Sequence, residues 1–309
     1  MKILVADDDE ISRKMMGMML RRMGYEVVLA ENGRDALDLL INPNGPRLAL
    51  LDWMMPEIDG PQVCRSLRAA PEQPYVFVIL LTSKDTKSAL VEGLDAGADE
   101  YLTKPCNSEE LNARLRTGER ILQLEDKLVA AREEMRFKAT HDVLTSLWNR
   151  GKILEALDDA LRHVDSMAVM MCDIDHFKAI NDKYGHLVGD AVLREIANRL
   201  RGGVRANDFI GRYGGEEFLV VLNACDTTRL FDRAEKLRKT VSAGSFLTEA
   251  GEISFTVSIG AVAVGEADSG TPAETILNFA DAALYQAKDE GRDRVVIAKR
   301  VSRISPSVS

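Results

Sequence analysis

The sequence predicts an α/β protein: a doubly wound, five-stranded parallel sheet domain joined by a long helix to a second α/β domain. Between residues 2 and 108, short apolar runs alternate five times with amphipathic stretches, a pattern typical of right-handed β-α-β crossovers. From Ser108 to about His141 the chain has no proline and one glycine, as expected of a long helix. A second set of apolar runs follows, and 309 residues are enough for two domains.

The chain divides into four parts by composition. We expect a first domain over residues 1–120, a helical connector over 121–140, a second domain over 141–300 and a disordered, serine-rich tail over 301–309. The runs that predict strands in the first domain are Ile3–Ala6, Glu26–Ala30, Leu48–Leu51, Phe77–Leu81 and Tyr101–Thr103.

Charge and cysteine content narrow the class of protein. A net charge of -9 argues against a protein that binds DNA through clustered lysine and arginine. The four cysteines have no metal-binding spacing and fit reduced thiols of the cytosol. The longest strictly aliphatic or aromatic run, Val76–Leu81, is far too short to span a membrane, and the first residues lack a signal-peptide pattern. We therefore expect a cytoplasmic protein without DNA or membrane partners.

Polar residues follow the predicted strands of the first domain. Asp7 and Asp8 end the first strand, Asp52 the third, Thr82 the fourth and Lys104 the fifth. The carboxyl ends of parallel strands share one edge of the sheet, and carboxylates gathered there need a hard cation such as Mg²⁺. Lys104 precedes a proline, so a cis bond could aim its ammonium inward. Taken singly, each acid could merely solvate a loop.

Together these residues resemble the receiver domain of two-component response regulators, over the whole first domain. The resemblance implies that Asp52 accepts a phosphoryl group from a cognate sensor histidine kinase. It also implies Mg²⁺ on Asp7, Asp8, Asp52 and the Met54 carbonyl, phosphoryl contacts from Thr82 and Lys104, and a switch aromatic at Tyr101.

An apolar seam runs along the connector. Residues recur at spacings of 3, 4, 3 and 4, which makes two heptads: Ile121, Leu124, Leu128, Ala131 and Met135. The seam predicts a parallel dimeric coiled coil, and a surface helix packed on its own domain is the alternative. Two heptads are too few to decide between them.

The second domain carries acids beside predicted strands. The segment Arg212–Phe218 lies between two apolar runs and predicts a hairpin whose two glycines permit a tight turn. Glu216 and Glu217 are adjacent, so on a strand they would point to opposite faces. Asp173 follows the strand predicted over Met167–Cys172, and shares a divalent cation with Glu217 if the two strands are neighbours. A solvated hairpin and a helix N-cap are the ordinary alternatives.

Other elements of this domain are also predicted from pattern. A strand is expected over Phe255–Val264, and helices over Ala191–Leu200 and from Thr271 to Glu290. Lys288 and Arg292 would then lie one turn apart on one helix face.

The segment Arg212–Phe218 resembles the motif of GGDEF-type diguanylate cyclases, with glutamate at 216. His141–Arg150 resembles the motif that opens the same domain, with Ser146 where glycine is common. The resemblance spans about residues 141–300. It implies an α/β palm like that of nucleotide cyclases and polymerases, and Mg²⁺-dependent conversion of two GTP to cyclic di-GMP and two pyrophosphates. Because each GTP attacks the other, a homodimer is implied.

The resemblance also implies roles for individual residues. Glu216 would position or deprotonate the 3′-hydroxyl, or act only electrostatically. An amide and a carboxylate, Asn181 and Asp190, can together satisfy the guanine edge. The remaining roles are metal binding by Asp173, the Ile174 carbonyl and Glu217, phosphate binding by Lys178, Lys288 and Arg292, and product inhibition through Arg205, Asp208 and Arg238.

Two other functions are weighed against the cyclase. A catalytically weak module that binds GTP or cyclic di-GMP and signals through partner contacts would usually have lost an acid matching Asp173, Glu216 or Glu217, and none is missing. A DNA-binding response regulator would need a basic recognition helix, which the sequence does not show.

Overall fold

The computed structural model describes residues 1–70, 73–83, 87–162 and 165–299, without the side chains of 87–90. The tail expected over 301–309 lies outside these ranges. The chain divides into two compact units between Glu133 and Glu134, within the helix predicted as a connector. Among the described residues, no helix combines the length and apolar character that crossing a membrane requires.

The first unit is a five-stranded parallel sheet in the order β2-β1-β3-β4-β5. Its strands are β1 Lys2–Ala6, β2 Glu26–Ala30, β3 Leu48–Asp52, β4 Phe77–Thr82 and β5 Glu100–Thr103. Its helices are α1 Glu10–Arg22, α2 Gly33–Leu40, α3 Gly60–Arg68, α4 Lys87–Asp95 and the first part of α5 Ser108–Thr140. The predicted fold class is confirmed, and the six residues of β4 are all buried because apolar clusters cover both sheet faces.

Helix α5 has 33 residues and uses two different sides. One stripe, Leu111, Leu115, Gly118 and Leu122, is buried on the core of the first unit. Leu124, Leu128 and Met135 of the predicted seam are 58%, 64% and 71% exposed. At 100° per residue the seam lies about 130° around the helix from the buried stripe. The buried stripe therefore packs α5 on its own domain. The parallel dimeric coiled coil through the seam stays a prediction.

The second unit is a mixed five-stranded sheet in the order β12-β11-β6-β8-β7, with a small β9-β10 hairpin. Its strands are β6 Ser166–Ile174, β7 Phe209–Gly214, β8 Glu217–Asn223, β9 Phe246–Thr248, β10 Gly251–Ile253, β11 Val257–Gly265 and β12 Val295–Ile297. Its helices are α6 Arg150–Arg162, α7 Phe177–Tyr184, α8 His186–Gly203, α9 Thr227–Val241 and α10 Ala273–Asp289. Alternate residues of β6 enter opposite cores, one beneath α8 and α9 and the other beneath α6 and α10.

Two helices differ from their predicted bounds. Helix α8 begins at His186 rather than Ala191, so only Gly185 separates it from α7. Helix α10 begins after Pro272 and ends at Asp289. Gly185 and Gly189 hid the first turn of α8, because glycine weakens the prediction of a helix.

Helix α10 crosses β11 at Gly260 with no room for a side chain. A Cβ there would lie 2.1 Å from both Ala280 O and Leu284 N. Because backbone atoms of a packed helix cannot yield, we expect Gly260→Ala to lower the free energy of unfolding by about 3 kcal/mol. Gly202→Ala is the matched control, since nothing lies within 4 Å of its Cβ position, and its stability should stay within ~1 kcal/mol of wild type. Urea unfolding measures both, and equal stability of the two variants would contradict the close packing.

Candidate functional site

Three acids gather at the carboxyl edge of the first sheet. Carboxylate oxygens of Asp7, Asp8 and Asp52 all lie within 4.8 Å of one another. The Lys104 ammonium lies 2.7 Å from Asp7 Oδ2 and 3.0 Å from Asp52 Oδ1, and the bond between Lys104 and Pro105 is cis. The sheet thus brings together four of the residues predicted from the sequence.

Burial disfavours the charged forms of the residues in this cluster. It raises the pKa of Asp52, and Lys104 opposes the rise. For Lys104, contacts with Asp7 and Asp52 outweigh burial and raise its pKa. A single ammonium balances three carboxylates incompletely, and their hard oxygen atoms fit Mg²⁺.

The other predicted residues of this edge lie on or beside the same strands. Thr82 is buried at the end of β4, and Tyr101 on β5 is partly buried against the apolar core. The Met54 side chain is 63% exposed, two residues beyond the end of β3. Their roles in a phosphoryl site stay predictions.

In the second unit, the acidic hairpin lies directly beside β6. Strand β8 pairs with β6 so that Glu217 is opposite Asp173, and side chains opposite each other on antiparallel strands are neighbours. The turn consists of Gly215, with φ +41°, and Glu216. Glu216 is therefore not on a strand, and the expectation that the two glutamates alternate between faces is wrong for it.

Arg212 braces this turn. Its Nε and Nη2 donate to Gly215 O at 2.9 and 2.8 Å, and its Nη1 donates to both Asp142 oxygens at 3.2 Å. Asp142 also accepts from the Thr145 amide at 2.8 Å and hydroxyl at 2.7 Å. This role of Arg212 could not be predicted from the sequence, because Asp142 lies 70 residues away in the chain. The turn is thereby tied to the residues that follow α5.

One lysine balances the acids of the hairpin. Lys288 Nζ lies 2.7 Å from Asp173 Oδ2. Burial raises the pKa of Asp173, Glu216 and Glu217, and the Asp173 charge raises that of both glutamates further. Carboxylates that ionise against burial fit a divalent cation. Within the described ranges, however, only Asp7, Asp8 and Asp52 form an acidic group as tight as 4.8 Å.

The predicted guanine-binding residues meet where α7 packs on α8. A Cβ at Gly189 would lie 1.9 Å from Asn181 Oδ1, so this amide reaches the first turn of α8, beside Asp190. Lys178 is exposed on α7, and His186 is the exposed first residue of α8.

Arg292 does not share a helix face with Lys288. Helix α10 ends at Asp289, and Arg292 follows with φ +62°. The expected spacing of one turn is therefore wrong, because the helix has ended before Arg292 and Gly291 has φ +113°. Burial raises the pKa of Asp173, and the charges of Lys288 and Arg292 both reduce this rise.

Comparison with known families agrees with this arrangement. The profile described as the GGDEF domain of diguanylate cyclases matches residues 139–294, and that of the response regulator receiver domain matches residues 3–116. The chain belongs to the GGDEF family of diguanylate cyclases.

Relatives of this GGDEF protein match different shares of the chain. Response regulator PleD of Caulobacter vibrioides is 33% identical over 303 residues, 96% of this chain and 65% of PleD. Diguanylate cyclase DgcP of Pseudomonas aeruginosa is 40% identical over 241 residues, 75% of this chain and 35% of DgcP. The crystal structure of the coiled coil and GGDEF domain of DgcB from Caulobacter crescentus, in complex with c-di-GMP, is 31% identical with a TM-score of 0.53, covering 61% of this chain and 99% of that one. This chain thus spans less than two thirds of the length of PleD and DgcP.

The residues predicted for product inhibition differ in accessibility. Arg205 is exposed and lines a cleft of about 320 Å³. Asp208 is buried, and its carboxylate accepts from Arg205 N at 2.9 Å, Asn223 N at 3.0 Å and Arg233 Nη2 at 2.6 Å. These three donors use the Asp208 carboxylate to hold the chain around residues 205–208 in place. A direct contact between Asp208 and guanine would have to displace them.

Arg238 is held by acids of the GGDEF domain. Its guanidinium donates to both Glu235 oxygens, at 2.8 and 2.6 Å, and to Asp293. Contact with Glu235, and then with Asp293, raises the pKa of Arg238. The Asp293 carboxylate is therefore turned to α9.

Glu217→Gln tests whether the ionised acids destabilise the metal-free fold. Because burial and Asp173 raise the Glu217 pKa, the folded protein binds more protons than the unfolded chain just above the ordinary glutamate pKa. Stability then falls as pH rises through that window. At neutral pH we expect the variant to melt at a higher temperature than wild type in EDTA, and Mg²⁺ to stabilise wild type more. A variant that melts at a lower temperature in EDTA would contradict this electrostatic account.

Proposed function

We propose that this chain is a phosphorylation-regulated diguanylate cyclase that converts two GTP to cyclic di-GMP and two pyrophosphates as a homodimer. The observation that carries the proposal is the complete acidic set at the hairpin, with Asp173 paired opposite Glu217 and Lys288 on Asp173. The family match and the names of PleD and DgcP support the same activity.

The acids and cations of the site divide the work of the reaction. Asp173, the Ile174 carbonyl and Glu217 would hold Mg²⁺, which when bound neutralises the attacking and leaving oxygens of an in-line displacement. Glu216, in the turn, orients or deprotonates the 3′-hydroxyl, or supports it electrostatically. Lys288 leaves Asp173 for the triphosphate, and Lys178 and Arg292 add positive charge there.

Guanine is selected by an amide and a carboxylate. Asp190 would accept hydrogen bonds from N1–H and the exocyclic amino group, and Asn181 would contact the remaining polar edge. Adenine lacks this donor pattern and would leave the Asp190 carboxylate without donors, which is costly in a closed site. Asn181 is already held against Gly189, so this part of the site is preformed.

Dimerisation follows from the chemistry. Each 3′-hydroxyl must attack the α-phosphate held by another domain, so one domain alone cannot close the ring. The exposed seam of Leu124, Leu128 and Met135 offers a surface for a parallel pair of helices. These three residues lie away from the buried stripe, so pairing through them leaves the stripe in place, whereas Ile121, the first seam residue, already packs against the core of the first unit.

Control is assigned to Asp52. Phosphorylation by a cognate sensor histidine kinase adds nearly two negative charges where Lys104 lies 3.0 Å away and Thr82 ends the next strand. Asp7, Asp8, the phosphorylated Asp52 and the Met54 carbonyl would hold Mg²⁺. Lys104 and Thr82 would then meet the phosphoryl oxygens, and Tyr101 would respond as the switch aromatic.

The function is tested by incubating the protein with GTP and Mg²⁺, with and without a small phosphodonor, and identifying products by mass spectrometry. Wild type should form cyclic di-GMP faster with the phosphodonor. Asp52→Asn should keep the basal rate and lose the stimulation, because an amide cannot accept the phosphoryl group. Glu217→Gln is the inactive control, with a rate lower by roughly 10³-fold. Undiminished stimulation of Asp52→Asn would place control elsewhere, and binding of GTP without turnover would favour the binding module.

Product inhibition is proposed at Arg205. Its exposed guanidinium can contact guanine N7 and O6 or a phosphate of cyclic di-GMP. Asp208 and Arg238, whose partners lie within the chain, would contribute after rearrangement. Arg205→Ala should keep the initial rate, bind cyclic di-GMP at least tenfold more weakly by calorimetry, and continue synthesis where wild type stalls. Lys236→Ala on the nearby α9 is a charge-matched control, and equal stalling of wild type and Arg205→Ala would refute the site.

A further inference from the structure

Asp175 is a buried carboxylate, two residues after Asp173, with no role in the mechanism above. It is 4% exposed. Its oxygens accept from the Thr256 and Ser258 hydroxyls, each at 2.7 Å, and from Asp293 N at 3.1 Å. The carboxylate thus joins three segments: the end of β6, the start of β11 and the chain that follows α10.

The chain after α10 has an unusual backbone. Gly291, Arg292 and Asp293 have φ values of +113°, +62° and +46°. Residues other than glycine rarely adopt positive φ, so surrounding contacts must hold two of them in succession.

Two hydrogen bonds supply this restraint. Arg292 N donates to Ala287 O at 3.0 Å, and the next amide, Asp293 N, donates to Asp175. The peptide groups on both sides of the Arg292 Cα are therefore fixed, one by helix α10 and the other by the buried carboxylate.

The network also borders the acids of the site. Ser258 pairs with Asp173 in the register of β11 and β6, and Arg292 directly precedes Asp293, whose amide donates to Asp175. The carboxylate of Asp175 therefore connects the strand that carries a proposed metal ligand with the segment that carries a proposed phosphate ligand.

We propose that Asp175 is a positioning residue for Arg292: by holding the Asp293 amide, it sets the backbone from which the guanidinium reaches the β- and γ-phosphates of GTP. The inference deepens the proposed function and rests on it for the identity of the ligand. Loss of Asp175 should weaken triphosphate binding and leave guanine recognition at Asn181 and Asp190 unchanged.

A double-mutant cycle separates this role from a general contribution to stability. Asp175→Ala, Arg292→Ala and the double variant are titrated by calorimetry with α,β-methylene GTP in the presence of Mg²⁺. Each single variant should lose roughly tenfold in affinity, and the double variant no more than Arg292→Ala alone, because Asp175 acts through Arg292. Affinity for GMP, which has no β- or γ-phosphate, should stay at the wild-type value in all three.

Three further variants distinguish a specific loss of affinity from a general loss of stability. Asp175→Asn keeps an oxygen that can accept from Asp293 N and should retain most of the affinity. Asp175→Leu has the same branched shape without an acceptor, and replaces Asp175→Ala if that variant does not fold. Leu161→Ala, a buried change on α6, should lower the melting temperature without changing either affinity.

Additive losses in the double variant, or equal losses for GMP and the triphosphate, would overturn the inference. So would unchanged triphosphate affinity in a folded Asp175→Ala or Asp175→Leu. If wild type itself binds no guanine nucleotide, the proposed function fails instead, so the two failures are distinguishable.

Discussion

In each unit, a carboxylate buried at the end of a central strand is paired with a lysine. Lys104 lies 2.7 Å from Asp7, and Lys288 lies 2.7 Å from Asp173. Each acid lies at or just beyond the carboxyl end of a central strand, where the core shields it from water. Burial raises the pKa of Asp52 and of Asp173, and the nearby cations offset this rise only in part. Both sites therefore favour additional positive charge, as Mg²⁺ provides.

The rest of the second unit serves to hold these charges in place. Strand β6 lies between β11 and β8. The acids of the hairpin therefore lie on one side of its carboxyl end, and the hydrogen bonds from β11 to Asp175 lie on the other. Arg212 fixes the turn through Gly215 and Asp142. Contacts from several elements keep the carboxylates of the site close together although they repel each other. This repulsion lowers the stability of the fold, and the two apolar cores of the second unit compensate for it.

Local patterns predicted most of the fold, and long-range contacts account for what was missed. The strands of the first unit lie within one residue of their predicted bounds, because buried parallel strands are continuous apolar runs. The sequence did not predict that Glu216 lies in the turn or that Arg292 lies beyond α10. Both positions depend on the exact residue at which a strand or helix ends, and sequence patterns define such ends poorly. The partners of Asp208, at 223 and 233, and of Asp175, at 256, 258 and 293, come from distant segments. No spacing in the sequence indicates them.

The central claim is that two GGDEF domains, brought together under control of the receiver domain, make cyclic di-GMP from GTP. It is tested most directly by the specific rate of cyclic di-GMP formation over a range of protein concentrations, with and without phosphodonor. The account predicts that the rate per protomer rises with concentration and that the phosphodonor shifts this rise to lower concentration, since the reaction needs two domains. Absence of product, or a rate per protomer that is independent of concentration down to high dilution and indifferent to the phosphodonor, would contradict it.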